Sequence, residues 1–196
     1  MRDLLLQVRR TPERLLHPLR RRKTLEGLRR RPRPHTLLVV CRGNICRSPF
    51  AAGLLRRALS RVGVRVDSAG FVRPNCPAPP EAVAAAARHG VDLADHRSRL
   101  IAPDLARAAD LIVVMDPVQQ RDLRERFGRP ARDLIVLGDL DPMPPQGAGG
   151  AGGPGGGGLR TIRDPIGQGP DVFETSYARI ERCVAGLVSV LLSQPR

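Results

Sequence analysis

The stretch Leu37-Leu-Val-Val-Cys-Arg-Gly-Asn-Ile-Cys-Arg-Ser-Pro49 places an apolar run, a cysteine, a short polar loop and an arginine in succession. The apolar part, from Thr36 to Val40, combines leucine with β-branched residues, which is typical of a fully buried strand. Gly43 and Asn44 are residue types that tolerate the left-handed backbone of a tight loop. We therefore expect a buried strand that ends in a sharply turning loop.

A helix is predicted to follow this loop. Ser48 is a good N-cap residue and Pro49 suits the first helical position, so the helix should run to about Ser60. The N-terminus of a helix presents unpaired N–H groups and a partial positive charge, and the N–H groups of the loop add to them. Together these groups form a concave binding site for an oxyanion.

Two side chains in the stretch carry chemistry. Cys41 lies at the mouth of the anion site, where positive groups favour the nucleophilic thiolate. Arg47 follows six residues later, and its planar guanidinium can bind two phosphoryl oxygens at once, which a lysine cannot do. The stretch predicts a phosphate site at which sulfur attacks phosphorus. Taken alone, a cysteine and an arginine at this spacing are weak evidence, since a buried thiol and a surface arginine often produce it.

Strand and helix patterns alternate along the rest of the chain. The predicted elements are a strand at Val62–Asp67, a helix at Ala82–His89, a strand at Leu111–Met115, a helix at Pro117–Phe127, a strand at Leu134–Leu137 and a helix that begins at Asp171 with Glu174 in a capping box. This alternation predicts an α/β fold: a single doubly wound domain over residues 36–194, with a four-stranded parallel sheet and helices on both faces. Within it, residues 147–158 hold nine glycines and predict a mobile insertion.

The positive charge is concentrated at the start of the chain. Residues 1–35 hold 12 Arg and Lys against 3 Asp and Glu, a net charge of +9 out of +14 for all 196 residues. We expect a flexible basic extension, with two alternatives: an electrostatic contact with nucleic acid or an anionic membrane surface, or a helix packed on the domain. Its apolar runs are too short for a signal peptide, and no other segment is long enough to span a bilayer.

The chain has four cysteines and no expected signal peptide. This combination indicates a reducing compartment and argues against a disulfide framework. The predicted location is the cytoplasm. Cys41, Cys46, His89 and His96 could suggest zinc, but no closely spaced second ligand pair follows the first. We therefore predict neither a metal nor a cofactor.

The loop sequence resembles the signature of the low-molecular-weight protein tyrosine phosphatases. Further segments resemble that family in the family's order: Val66–Gly70, His89–Asp92, His96–Arg99, Ala109–Asp116, and Asp164-Pro165 before Phe173–Thr175. The resemblance covers about residues 36–192. It implies a phosphatase that hydrolyses phosphomonoesters, above all phosphotyrosine in proteins, through a phosphocysteine intermediate and without a metal.

The resemblance also implies the catalytic roles. Cys41 would attack phosphorus, Arg47 would bind the phosphoryl group, and Asp164 would be the general acid. Asp164 is chosen from three Asp-Pro pairs because its spacing to Phe173 resembles that of the family. The phosphate loop would consist of Arg42, Gly43, Asn44, Ile45, Cys46, Arg47 and Ser48.

Other residues would support this loop. The resemblance implies that Ser68 and His96 hold Asn44 by hydrogen bonds. Ser48 is placed to donate its hydroxyl to the thiolate. Cys46 has two open interpretations, a reversible disulfide with the nucleophile that the resemblance implies, and a small packed side chain.

Some positions depart from the family and bear on the substrate. Ile166 stands where many relatives have a tyrosine after Asp-Pro, and Pro74 stands at the family's other aromatic position, so Phe71 is the only nearby ring. An aromatic cradle for phosphotyrosine is therefore depleted. Ile45 argues against phosphoarginine, because related phosphoarginine enzymes tend to have threonine there. Arg42 favours an acidic substrate flank.

Two alternative functions remain. Arsenate reductases share this fold and nucleophile but need further cysteines, and none lies between Cys76 and Cys183. A non-catalytic module that binds phosphorylated partners would fit the basic segment. The combination of Cys41, Arg47 and an acid argues against such a module.

Overall fold

The structure is a computed structural model that describes residues 2–143 and 158–194, with side chains from residue 13 onward. Its helices are α1 (Arg2–Arg29), α2 (Arg47–Leu59), α3 (Pro80–Arg88), α4 (Pro103–Ala108), α5 (Pro117–Phe127) and α6 (Pro170–Ser193). Its strands are β1 (Thr36–Cys41), β2 (Arg65–Gly70), β3 (Leu111–Val114) and β4 (Leu134–Val136). Short 3-10 turns occupy Ser60–Val62, Ala131–Asp133 and Leu137–Leu140.

The four strands form one parallel sheet in the order β2-β1-β3-β4. The predicted α/β fold with a four-stranded parallel sheet is confirmed. In β1, Val39 pairs with Ser68 of β2 and with Val113 of β3. The same register sets Cys41, the last residue of β1, beside Gly70 at the end of β2.

Side chains of β1 alternate between the two faces of the sheet, as the pleat of a strand requires. Leu37, Val39 and Cys41 belong to the larger hydrophobic cluster, which also contains residues of α1, α2, α3 and α6. Leu38 and Val40 belong to the smaller cluster, with residues of α4 and α5. Helices therefore cover both faces, as predicted, and β1 is buried from Leu37 to Cys41.

The start of α2 differs from the prediction. The helix begins at Arg47 with Cys46 as its N-cap residue, so Ser48 lies inside the first turn and does not cap it. Its hydroxyl contacts the sulfur of Cys41 instead. The second strand is also shifted: it begins at Arg65 because residues 60–62 continue as a 3-10 turn.

The capping box predicted for the last helix does not form. α6 begins at Pro170, one residue before the predicted Asp171, and no side chain caps it. Glu174 pairs with Arg88 of α3 instead. The carboxylate thus joins two helices rather than satisfying the N–H groups of its own.

The basic segment differs from the flexible extension that we expected. Residues 2–29 form α1, and Leu25 and Leu28 on one side of it are buried in the same cluster as Leu191 of α6. Just after α1, Arg33 Nε donates to the carbonyl of Leu191 at 2.9 Å. Two leucines three residues apart lie on one helix face, so they can be buried while Arg22 and Arg29 of the same helix remain exposed.

The glycine-rich insertion predicted at residues 147–158 lies outside the described residues, apart from Gly158. From Gly158 a short turn and an irregular stretch lead to α6. Within residues 2–143 and 158–194, no helix is long and apolar enough to cross a membrane.

Candidate active site

The loop between β1 and α2 turns sharply around Asn44, whose φ is +52°. Its backbone N–H points to the sulfur of Cys41, with a distance of 3.2 Å between N and Sγ. The end of β2 packs directly against this loop: a Cβ added to Gly70 would lie 2.8 Å from both the Arg42 carbonyl oxygen and the Asn44 nitrogen. Only glycine permits this close approach, which fixes the loop against the sheet.

The side chain of Asn44 links the loop to its surroundings. Its Nδ2 donates to the hydroxyls of Ser48 and Ser68, each at 2.9 Å. Its Oδ1 accepts from the backbone N–H of Arg99 at 2.8 Å, and its backbone carbonyl accepts from His96 Nε2 at 2.6 Å. The structure thus brings both predicted supporting residues, Ser68 and His96, onto Asn44. The contact with Arg99 had no sequence signal, because it uses only a backbone group.

Burial of the imidazole lowers the pKa of His96 below 6.5, and the positive charges of Arg56 and Arg97 act in the same direction. The hydrogen bond to the Asn44 carbonyl opposes this effect but does not overcome it. The neutral ring with hydrogen on Nε2 can make that bond. His96 is therefore a structural donor at neutral pH.

Cys41 is almost fully buried, with 2% of its surface exposed. Besides the N–H of Asn44, its sulfur accepts from the hydroxyl of Ser48, with Oγ and Sγ 3.0 Å apart. Hydrogen bonds to sulfur stabilise the thiolate more than the thiol, because they compensate its charge. The start of α2 adds the partial positive charge of a helix N-terminus.

Arg47 joins the loop to the segment before α6. Its Nη1 donates to the carbonyl of Ile162 at 3.0 Å, and its Nη2 pairs with the carboxylate of Asp164. Its Nε is buried and has no hydrogen-bond partner among the described residues. The contact with Ile162 was not predicted, since a carbonyl group leaves no mark on the sequence.

Only one of the three Asp-Pro carboxylates lies at this loop. Asp164 contacts Arg47 while 41% of its side-chain surface remains exposed. Asp141 is fully buried and pairs with Arg179, with 2.8 Å between Oδ2 and Nε. Asp116 caps α5 by accepting from the backbone N–H of Gln119.

An aromatic stack lies beneath the loop. Tyr177 is fully buried, and its hydroxyl donates to the carbonyl of Cys46 at 3.3 Å. Its ring stacks on Phe50 of α2, with centroids 3.9 Å apart. Burial, and then the nearby Cys41, raise the pKa of the Cys46 thiol well above its usual value. Both Cys41 and Cys46 are free thiols.

The walls of the site carry few aromatic groups. Phe71 packs on the opposite face of the sheet, where the guanidinium of Arg126 lies 5.6 Å from its ring centroid. Ile166 is 44% exposed. Ile45 is half-buried and packs against the larger cluster, and Arg42 is exposed.

The chain is similar to known proteins. The model of the low molecular weight phosphotyrosine protein phosphatase family matches residues 36–195. The probable low molecular weight protein-tyrosine-phosphatase EpsP of Ralstonia solanacearum is 37% identical over 150 residues, 76% of this chain and 90% of that protein. The protein-arginine-phosphatase of Bacillus subtilis is 28% identical over 163 residues, 82% of this chain and 99% of that protein. The crystal structure of the Erwinia amylovora tyrosine phosphatase AmsI gives a TM-score of 0.66 at 29% identity, covering 80% of this chain and 92% of that chain.

The matched range begins with β1 and extends to the end of α6. It contains the loop after β1 and the segment that contacts it before α6. The chain therefore belongs to the low molecular weight phosphotyrosine protein phosphatase family and is a cysteine-dependent phosphatase.

Proposed function

We propose that this enzyme hydrolyses phosphotyrosine in proteins by double displacement at phosphorus, with Cys41 as nucleophile, Arg47 as phosphoryl ligand and Asp164 as general acid. One observation carries the proposal: Arg47, six residues after Cys41 on the same loop, contacts the carboxylate of Asp164. Nucleophile, phosphoryl ligand and acid thus lie around one anion site.

In the first step, the thiolate of Cys41 attacks phosphorus and the bond to the leaving oxygen breaks. The N–H groups of the loop and the guanidinium of Arg47 bind the phosphoryl oxygens, and the buried Nε is a donor available for one of them. Asp164 transfers its proton to the leaving oxygen. The products of this step are the alcohol or phenol and phosphocysteine.

In the second step, water attacks the phosphocysteine and gives a proton to the ionised Asp164. The bond between phosphorus and sulfur breaks and inorganic phosphate leaves. The hydroxyl of Ser48, 3.0 Å from the sulfur, stabilises the departing thiolate of Cys41. Ser48 therefore lowers the barrier of hydrolysis more than that of attack.

The substrate class rests on the relatives and on the loop. EpsP and AmsI are named as tyrosine phosphatases, whereas the Bacillus subtilis relative is an arginine phosphatase. Ile45 gives the site an apolar side chain where a hydroxyl would favour phosphoarginine. The aromatic walls are weak, so the phosphoryl group itself supplies most of the binding energy.

Turnover of a phosphotyrosine peptide and of a phosphoarginine peptide by the purified enzyme tests the reaction and its substrate. We expect hydrolysis of phosphotyrosine, its loss in Cys41→Ser, and a shift of the ratio toward phosphoarginine in Ile45→Thr. Phosphopeptide binding without turnover would support the non-catalytic module. Thioredoxin-dependent reduction of arsenate would support the reductase, although Cys183, whose pKa burial raises to about 12, is a poor relay thiol.

We propose that residues 36–194 form the catalytic domain. We further propose that residues 1–35 contact anionic membrane surfaces. Leu15 and Leu19 of α1 are 72% and 58% exposed, and they lie in the segment with a net charge of +9. Exposed leucines among basic side chains favour lipid over nucleic acid, because apolar side chains insert between headgroups. We also propose that the enzyme is cytoplasmic, because its four cysteines suit a reducing compartment.

Sedimentation with vesicles of anionic phospholipid tests this contact, with vesicles of neutral phospholipid as the comparison. Binding should require the anionic lipid, weaken with salt and fall in the double variant Leu15→Ala and Leu19→Ala. Equal binding to both vesicle types would contradict the proposal.

A further inference from the structure

One face of α1 contacts the two chain segments that lie on either side of the glycine-rich insertion. Three side chains at a spacing of four residues, Glu13, His17 and Arg21, form this face. Each binds a backbone group: Glu13 Oε2 accepts from the N–H of Leu159 at 3.2 Å, His17 Nε2 donates to the carbonyl of Asp141 at 2.9 Å, and Arg21 Nε donates to the carbonyl of Leu140 at 3.2 Å. α1 therefore holds the chain both before and after the insertion.

Asp141 connects these contacts to α6. Its carboxylate is fully buried and binds Arg179 Nε at 2.8 Å. The same guanidinium donates to the carbonyl of Thr161 at 2.7 Å and to the carbonyl of Leu159. Leu159 is thus bound from both sides, through its N–H by Glu13 of α1 and through its carbonyl by Arg179 of α6.

Only four residues separate Leu159 from Asp164. Between them, Ile162 donates its N–H to the carbonyl of Met115 at 2.8 Å and accepts from Arg47 through its own carbonyl. The other residues of the stretch are bonded too: Arg160 pairs with Asp139, and the carbonyl of Arg163 accepts from the hydroxyl of Ser176. Because the stretch is short and held at successive residues, a displacement of Leu159 changes the strain on the residues that place Asp164. A glycine-rich sequence cannot fix Leu159 by side-chain packing, because glycine has no side chain.

We propose that α1, which lies outside the catalytic domain in sequence, supports its catalysis, and that Glu13 is a positioning residue for the general acid. The inference rests on the proposed role of Asp164. Glu13 is only partly buried and contributes no apolar packing, so its bond to Leu159 is separable from the stability of the core. Its removal loosens the segment that carries the acid, whereas, within the described residues, the hydrogen bonds of Cys41 and Asn44 involve no residue of that segment.

The test compares aryl phosphates whose leaving groups differ in basicity. Glu13→Ala should lower kcat/KM for phenyl phosphate by about 3- to 10-fold, because a small misplacement of a catalytic group is costly. The variant should leave kcat/KM for 2,4-dinitrophenyl phosphate unchanged, since that leaving group needs no proton. Glu13→Gln keeps an acceptor for the N–H of Leu159 and should restore the wild-type value. Arg22→Ala, at an outward position 76% exposed on the same helix, is the matched control and should change neither ester.

A loss that is equal for both esters, or no loss at all, would overturn the positioning role. Arg21→Ala is a second, independent variant of the same face of α1. It should lower kcat/KM for phenyl phosphate by a smaller factor than Glu13→Ala does and leave kcat/KM for 2,4-dinitrophenyl phosphate unchanged. Circular dichroism of each variant confirms that the fold is retained.

Asp164→Asn in the same series separates this inference from the function on which it rests. If Asp164→Asn shows no leaving-group dependence, the assignment of the acid is wrong. If it shows that dependence and Glu13→Ala does not, only the role of α1 is wrong. The double variant that combines Glu13→Ala with Asp164→Asn should have the same kcat/KM for phenyl phosphate as Asp164→Asn alone, because the acid that Glu13 positions is already absent.

Discussion

Asp141 and Asp164 both precede proline and both contact arginine, yet their surroundings give them different chemistry. Asp141 is fully buried and shared by Arg179 and Arg182. Asp164 is partly exposed and contacts the arginine of the phosphate loop. A buried carboxylate between two guanidinium groups acts as a fixed charge, whereas a partly exposed one can exchange a proton with substrate and water.

This contrast predicts opposite effects of two matched substitutions. Asp164→Asn should lower kcat/KM for phenyl phosphate by about 10²- to 10⁴-fold while barely changing the free energy of unfolding. Asp141→Asn should lower the free energy of unfolding by about 3–5 kcal/mol, because it leaves the buried Arg179 without its counter-charge. Steady-state kinetics and urea denaturation measure the two effects. If folded Asp141→Asn enzyme instead shows a leaving-group-dependent loss of kcat/KM and Asp164→Asn shows none, then Asp141 is the general acid and Asp164 is not.

His96 provides a prediction about pH. Burial lowers its pKa in the folded protein, so the unfolded chain binds a proton more readily than the folded chain. The free energy of unfolding should therefore fall as the pH drops from about 7.5 to about 5.5. In the variant His96→Gln, which keeps a donor for Asn44, the free energy of unfolding should fall less steeply over the same range. Urea denaturation of both proteins across this range measures the difference. Parallel curves would show that His96 does not contribute to the pH dependence.

At the scale of elements, α1 has two faces with different consequences. Leu28 is 2% exposed and shares a cluster with α6, whereas Leu19 on the same helix is 58% exposed. Leu28→Ala should lower the free energy of unfolding by about 2–4 kcal/mol, because it opens a cavity in the core. Leu19→Ala should change it by less than about 0.5 kcal/mol, as surface substitutions do. Thermal or urea denaturation checks the pair, and equal stability of both variants would mean that α1 does not pack on the domain.

At the scale of the whole molecule, the net charge of +14 should attract acidic substrates. Arg42 lies exposed on the phosphate loop, so part of this charge is at the site itself. We expect kcat/KM for a phosphotyrosine peptide with acidic flanks to fall as the salt concentration rises from about 0.05 to about 0.5 M, because the distance over which charges attract each other, about 10 Å at 0.1 M, shortens as salt is added. A peptide with neutral flanks should be less affected. Equal salt dependence for the two peptides would place the attraction in the phosphoryl group alone.

The sequence by itself determined the four-stranded parallel sheet and most of the elements around it, although the short helix α4 was not predicted. These features depend on local patterns: a buried run before Cys41, glycine and asparagine in the turn, and apolar periodicity in the helices. The segments that resemble the family also led to Ser68 and His96, which the structure places on Asn44. The local rules failed at helix ends, where Ser48 and Glu174 had better partners in space than in sequence.

Only the tertiary structure decided the contacts made by backbone groups and by distant charges. The carbonyl of Ile162 and the N–H of Leu159 could not be predicted, since every residue except proline carries the same two groups. Composition alone could not assign α1 either, because the burial of Leu25 and Leu28 depends on the presence of α6 beside them. The sequence specifies which groups are available, and packing decides which of them meet. That choice depends on neighbours that are more than 100 residues away in sequence, as Arg47 and Asp164 are.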